Sequence, residues 1–318
     1  MRKEYLLKFK DQIEIWDEKW NTAEIEKEIY EAKNSPIADI IKIFLPSQGK
    51  ILDVGCGLGG YLIWLKSEGF NIYGIDFSKE AIRRLKIYNP SLDVEISDCE
   101  ALPFSDNYFD VYISLGVLEH IESGCLKALK EANRVLRDNG IVIISVPFLN
   151  LYRLIKDFFI FKLMGKESYV LTNVEEKNIV FYRRKLYKEE KKYSFFQYYF
   201  SLSEIRKLLK KSQFNIILWT PYSVLPGILE IKLFQKLYKK FILSKSKENL
   251  YKIKRIENSK KINNKSIKKR KFYFILAKRF YKLLSWEKSK NLLEKNILNI
   301  FRHIFGHMIL IIGVKNDN

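Results

Sequence analysis

Ile51-Leu52-Asp53-Val54-Gly55-Cys56-Gly57-Leu58-Gly59-Gly60 is the stretch on which the fold of this chain turns. Lys50 to Val54 reads as a buried strand, Leu58 to Ser67 as a helix, and the glycines between them as a tight turn. Glycines there let a ligand approach the backbone with no Cβ in the way, and the start of the helix presents free N–H groups. The spacing Gly55-x-Gly57-x-x-Gly60 satisfies the dinucleotide fingerprint, and Asp76 follows 21 residues after Gly55, where an acid accepts hydrogen bonds from ribose hydroxyls. These residues predict a nucleotide-like ligand. An NAD-dependent oxidoreductase is one reading of that ligand, but Asp53 opposes it. A carboxylate two residues before the first glycine repels a pyrophosphate and attracts an amino-acid ammonium, so a zwitterionic nucleoside is favoured.

Outward from the turn, strands and helices alternate. Asn71 to Ile75 reads as a strand, Ser78 to Tyr88 as a helix capped by Ser78, and Val94 to Ser97, Val111 to Ser114 and Ile141 to Val146 as further strands. Gly124 to Arg137 reads as a helix that stops before the turn Asp138-Asn139-Gly140. Such alternation predicts a parallel sheet covered on both faces. Residues 11 to 45 read as helical, with Pro36 opening a further helix that Pro46 closes. Beyond Pro147 the alternation gives way to an aromatic and basic stretch. It resumes where Ser201 caps a helix to Lys211 and Phe214 to Trp219 forms a strand, and His307 to Val314 supplies a seventh strand.

The motifs along this alternation resemble the class I S-adenosylmethionine-dependent methyltransferases, in the small-molecule branch known as the type 11 methyltransferase domain. The residues that carry the resemblance are the glycine turn, Ile75-Asp76-Phe77-Ser78, Ser97-Asp98-Cys99-Glu100-Ala101-Leu102-Pro103-Phe104, and Phe109 through His120. Glu131 to Val146, Phe200 to Ile205 and Gly306 to Ile312 fit the closing elements. The resemblance implies a doubly wound α/β fold, a seven-stranded, mostly parallel sheet whose last strand is antiparallel, with S-adenosyl-L-methionine across the strand ends. It assigns Asp53 and the turn of Gly55, Cys56, Gly57 and Gly59 to the methionine part, and Asp76 with Phe77 to the ribose. Asp98 with the Cys99 backbone falls to adenine, and Leu115 to the neighbourhood of the reacting centre. A sulfonium donor is already activated, so positioning and desolvation supply much of the catalysis. A hydroxyl acceptor would need a base, for which His120 after the fourth strand is the candidate. A local structural role for His120 and Glu119 is the rival reading.

The implied organisation is an N-terminal helical flap over 1–45, a core over 46–147, a substrate cap over 148–200 and more core over 201–222. A basic amphipathic insertion over 223–302 and the last strand with its tail over 303–318 complete it. Both insertions are expected to be largely helical.

Charge divides the chain: residues 1–150 hold 18 Lys and Arg against 24 Asp and Glu, whereas residues 151–318 hold 39 against 13. Leu229, Leu233, Leu237 and Phe241 share a helical face in the basic half. Phe272, Phe274, Phe280, Tyr281, Leu284 and Trp286 repeat the pattern among lysines. Two readings stand side by side: helices lying on an anionic membrane surface, or a lid with a solvated lysine face. The expected acceptor is a small or lipid-attached molecule methylated on oxygen. Nucleic acid ranks lower, because Ser114-Leu115-Gly116-Val117 lacks the Asn/Asp-Pro-Pro-aromatic pattern of base amino methylation. The three cysteines, Cys56, Cys99 and Cys125, form no C-x-x-C pair, so neither a disulfide framework nor a metal site is expected. With no signal-like start and no apolar run near the roughly 18 residues of a membrane span, the expected location is the cytoplasm, with peripheral attachment at the inner face of the membrane as its extension.

Overall fold

In the computed structural model the described residues are 2–6, 12–155, 169–172, 179–182, 194–223 and 306–316. Residues 1–222 and 308–318 form one compact unit and 223–307 a second; of the second only 223, 306 and 307 are described, so the two amphipathic patterns of the basic half lie outside the described residues.

The elements of the first unit, in chain order, open with β1 (Arg2–Leu6), α1 (Gln12–Thr22), α2 (Ile25–Lys33), α3 (Ala38–Ile43) and β2 (Lys50–Val54). Then come α4 (Gly60–Ser67), β3 (Asn71–Asp76), α5 (Lys79–Tyr88), β4 (Val94–Ile96), β5 (Phe109–Leu115), α6 (Leu126–Val135) and β6 (Leu136–Pro147). The last are β7 (Tyr169–Thr172), β8 (Ile179–Tyr182), β9 (Ser194–Tyr199), α7 (Leu202–Lys211), β10 (Phe214–Tyr222) and β11 (Met308–Lys315). Seven strands make the main sheet in the order β10-β11-β6-β5-β2-β3-β4. β11 runs antiparallel to both neighbours and the other pairings are parallel, so the expected doubly wound sheet with one reversed strand is present.

The period of two along each strand separates two cores. On β5, Tyr112 faces the layer with Ala128, Leu129 and Ala132 of α6 and Ile205 and Leu209 of α7, while Val111 and Ile113 face Ile41, Leu62, Leu65 and Leu85 on the opposite side; a register shift between Phe109 and Val111 breaks the alternation and puts Phe109 on the side of Tyr112. Helix boundaries follow local chemistry. The Ser78 hydroxyl accepts the Ala81 N–H and opens α5, and Ser201 and Glu204 form a reciprocal capping box at α7. α6 is shorter than its apolar period suggests because Leu136 is already extended, paired with Phe109; Asp138-Asn139-Gly140 falls within the long strand β6, with Asn139 at φ 60°.

Two expectations change. The N-terminal flap is not helical throughout: it begins with β1, which pairs parallel to β7 and antiparallel to β9. In the first insertion, expected to be largely helical, residues 151–155 are helical but the other described segments are strands, so that β8-β7-β1-β9 form a second, four-stranded sheet. Runs such as Phe195-Phe196-Gln197-Tyr198-Tyr199 are rich in aromatics, which suit a pleated surface, and the partner strand lies almost 200 residues away, where local periodicity carries no sign of it.

Candidate active site

β2 sits at the point where the strand order reverses, with β3 on one side and β5 on the other, and the crevice beyond its carboxyl end is where such sheets place ligands. There β2 passes into the glycine turn. Gly55 and Gly57 have φ of 71° and 53°, a region that side chains rarely adopt. A Cβ on Gly55 would lie 2.3 Å from Val117 Cγ2, and one on Gly57 2.6 Å from the Trp20 ring. The turn is therefore narrow for two reasons, conformation and contact.

A cavity of about 670 Å³ opens here. Of the residues singled out from the sequence, Asp53, Gly55, Cys56, Asp76, Phe77, Asp98, Cys99, Leu115 and His120 line it together. Gly57 and Gly59 do not. The Gly57 N–H instead donates to Asp76 Oδ2 at 2.8 Å, and Gly59 adopts the left-handed conformation that starts α4. Asp76 also accepts the Ser78 N–H on Oδ1 at 2.9 Å, so two backbone donors fix its carboxylate at the cavity wall. The loop carrying Asp98 is held by Arg134, which donates to the carbonyls of Leu102 and Phe104 at 2.9 and 2.7 Å.

The wall is acidic. Asp53 is buried, and burial, with Asp76 nearby, pushes its carboxyl up to about 7. Burial raises Asp76 as well, opposed by its two backbone donors. Glu28 and Glu31 of α2 join the lining, and Lys19 of α1 is the one lysine or arginine among the described lining residues. Its ammonium lies 4.3 and 4.1 Å from the ring centroids of Trp16 and Trp20; although it remains accessible within the cavity, crowding by those rings lowers its pKa, while Glu28, Asp76, Glu31 and Glu119 act to raise it. An excess of carboxylates around a half-neutral Asp53 disfavours a pyrophosphate and leaves room for a cation.

At the opposite end His120 packs edge-on against Trp16 and Phe196, with ring centroids 4.8 and 5.0 Å away. Its Nδ1 lies 2.8 Å from the Phe196 carbonyl oxygen. A carbonyl only accepts, so Nδ1 carries the proton and Nε2 keeps a lone pair. Burial pulls the imidazole down to about 4. Glu119 beside it is buried, and burial drives its carboxyl up to about 8.

Three lining groups, Lys19, Glu28 and Glu31, escape a reading of sequence, because helices α1 and α2 are brought over the turn by tertiary contacts. Arg84 of α5 donates to the carbonyls of Trp20 and Ala23, and the Ser78 hydroxyl donates to Asp17. The two tryptophans were the available signal. Their helical spacing suits packing, and they do pack, on the turn itself.

Residues 52–144 match the model of a methyltransferase domain family. That stretch is a class I methyltransferase domain. The chain is 35% identical over 105 residues to the 2-methyl-6-phytyl-1,4-hydroquinone methyltransferase of a Synechocystis species, covering 32% of this chain and 33% of that protein. It is 39% identical over 103 residues to a ubiquinone biosynthesis O-methyltransferase of Rickettsia typhi, covering 31% of this chain and 41% of that one. The chain thus spans less than half the length of these curated relatives. Among solved structures, the methyltransferase in a complex with the Haloferax volcanii Trm112 activator shares the fold, with a TM-score of 0.50, 12% identity and coverage of 97% of this chain and 99% of that one.

The lining of the methyltransferase domain fits S-adenosyl-L-methionine. A buried carboxyl that titrates near 7 has a use for the ammonium of a zwitterion, the fixed Asp76 carboxylate for a diol, and the exposed backbone of the turn for a close neighbour. The second sheet, which brings Phe196 to His120, is an addition to that domain.

Proposed function

We propose that the chain transfers a methyl group from S-adenosyl-L-methionine to a hydroxyl oxygen of a small or lipid-attached acceptor. The observation that carries this reading is the convergence of nine sequence-predicted residues on one cavity. Asp53 and the glycine turn hold the methionine part, Asp76 and Phe77 the ribose, and Asp98 with the Cys99 backbone the adenine. Leu115 borders the reacting centre. The cofactor supplies an activated methyl group; the chain supplies orientation, the Trp16 and Phe196 rings packed on His120, and the Nε2 lone pair of His120 as the base that accepts the hydroxyl proton. An imidazole pulled down to about 4 is fully available as a base at neutral pH, at the cost of basicity.

The oxygen acceptor is supported by the O-methyltransferase name of the Rickettsia relative, and a lipid-attached acceptor by the phytyl-hydroquinone name of the Synechocystis one. Residues 148–200 would cap the acceptor and the basic residues 223–302 would act as lid or surface anchor, with attachment to anionic lipid at the inner membrane face as the location this implies. Among the described residues no helix is long and apolar enough to cross a membrane.

Calorimetry with S-adenosylmethionine and, separately, NADH tests the reading. Binding of the former alone, lost by about 100-fold or more in a folded Asp53→Ala variant, is expected from removing a charge-assisted contact. Binding of NADH alone, or unchanged affinity in Asp53→Ala, overturns it. With the cofactor established, transfer of labelled methyl to quinols, lipids and sugars identifies the acceptor, and His120→Gln is expected to slow it about 100-fold.

A further inference from the structure

Glu119 is the buried acid that the reading above leaves without a task. It stands in the 3-10 turn Leu118–His120 that follows β5, with 2% of its surface accessible. Its Oε2 has no hydrogen-bond partner among the described residues, although buried carboxylate oxygens are normally satisfied. Its Oε1 lies 3.9 Å from Nε2 of His120, too long for a hydrogen bond but within ion-pair reach. That nitrogen is the one with the lone pair, since Nδ1–H is committed to the Phe196 carbonyl.

We infer that Glu119 is a positioning residue acting through His120: once ionised, its carboxylate faces Nε2 and supplies the counter-charge when that nitrogen takes a proton from the acceptor. The inference rests on His120 as the base. The balance is simple. As the acceptor oxygen forms its bond to the methyl carbon and the sulfonium–methyl bond breaks, the O–H proton moves to Nε2, the sulfonium becomes a neutral thioether, and the resulting imidazolium faces a carboxylate. The proton then passes to water, directly or by way of Glu119, which restores the neutral imidazole and the carboxylate. An imidazolium enclosed by Trp16 and Phe196 without such a partner would be an unpaired buried charge, the costliest arrangement available.

Other groups face Glu119 from the elements around it. Lys19 of α1 acts to lower its pKa; Cys125, just before α6, and Tyr222, at the end of β10, are themselves raised chiefly by burial, with a smaller contribution from Glu119, and stay neutral through the physiological range. Neither Cys125 nor Tyr222 therefore changes charge where Glu119 does. Burial sets that point at about 8.

Nitrogen NMR of the imidazoles reads the pair without any acceptor, in the full-length protein. The chain has three histidines, and His120→Gln assigns the signal of interest by its disappearance. In the wild type the His120 ring is expected to remain the Nδ1–H tautomer from pH 6 to 9, while its Nε2 resonance moves through an inflection near the Glu119 value of about 8. Glu119→Gln, of nearly equal volume, is expected to remove that inflection entirely and leave the tautomer in place. An Nε2 resonance flat across that range in the wild type overturns the inference, with no variant needed. An inflection that survives Glu119→Gln overturns it too, by assigning the titration to Lys19 or another neighbour. Failure of the base role is a separate result: unchanged methyl transfer in His120→Gln would remove that role whatever the NMR titration shows.

Discussion

The two ends of the cavity are built differently. At the nucleoside end Asp53, Gly55, Cys56, Asp76 and Asp98 come from the carboxyl ends of adjacent parallel strands and the loops that follow them, so their positions are set by sheet register. At the acceptor end, His120 is oriented by a carbonyl 76 residues further along the chain and boxed in by a tryptophan from the N-terminal helix. One end is fixed by a scaffold found throughout the fold. The other is fixed by a second sheet whose strands come from both ends of the first 200 residues. Cofactor binding should therefore tolerate changes in the second sheet, whereas acceptor chemistry should not.

Gly57→Ala should have the largest effect, because that glycine is where the two ends meet. A side chain at φ 53° costs about 1–2 kcal/mol on its own, and its Cβ would press on the Trp20 ring, which carries α1. The expected outcome is a loss of about 2 kcal/mol or more in stability together with at least tenfold weaker S-adenosylmethionine binding, read by denaturant unfolding and calorimetry. A variant that loses stability yet binds the cofactor normally would show that the turn and the flap are independent.

The contrast also explains what the sequence could tell. Strand, turn and helix around residues 50–60 are contiguous, and their glycine and carboxylate spacing is itself the geometry of the site. Seven strands follow from apolar runs that local periodicity exposes, whereas the reversal of β11 follows from the family resemblance alone. The second sheet follows from neither, because β1 is five residues long and finds its register in β9 only after folding. His120 could be picked out as a lone histidine after β5, but its tautomer depends on Phe196, and the acid wall of Glu28 and Glu31 depends on α2 packing on the start of α4, where a Cβ on Gly60 would lie 2.7 Å from the Glu28 carbonyl oxygen. Side-chain roles fixed by contacts between distant segments leave no local pattern to read.

The next largest effect is a pH dependence confined to the nucleoside end. Asp53 in the empty cavity titrates near 7, raised from the usual carboxylate range, so its proton must leave before it can meet a cation. Affinity for S-adenosylmethionine should weaken about tenfold per pH unit below 7 and level off above it. The same shift has a stability consequence of opposite direction. A carboxyl raised on folding contributes stability that is complete below its unfolded value of 3.8 and lost as pH rises through about 7, so the empty protein should melt lower at pH 8 than at pH 5 by this contribution. Asp53→Asn should remove both trends. Affinity that is flat between pH 6 and 8 would mean that another group receives the cation.

A smaller effect, at the other end, is expected of Trp16→Ala. The ring covers His120 and shares Lys19 with Trp20, and its ring contacts are with Trp20 and His120 rather than with the carboxylates of the nucleoside end. Opening that wall should admit water to the imidazole and raise its pKa from about 4 toward 6.5, readable by extending the NMR titration down to about pH 3, while cofactor affinity changes by less than about threefold. An imidazole pKa that stays near 4 would place the cause of the shift in Phe196 and the turn instead.

The smallest effect, and the sharpest check on the separation of the two ends, is that of Ser201→Ala. Ser201 accepts the Glu204 N–H at 3.3 Å and its own N–H donates to Glu204 at 2.9 Å, closing the first turn of α7. Losing such a cap costs about 1 kcal/mol, a fall of roughly 2–4 °C in Tm for a domain of this size. The residue before it, Phe200, is clamped to the main sheet by its N–H on the Pro147 carbonyl at 2.9 Å and by the Leu149 N–H on its own carbonyl at 2.8 Å. Those bonds stand between the cap and Phe196. If they isolate β9 from α7, the variant loses its few degrees and nothing else: cofactor affinity and the His120 tautomer remain as in the wild type. If the His120 resonances shift as well, the strand that orients the imidazole is coupled to the helix that follows it, and the acceptor end extends through α7 into the main core.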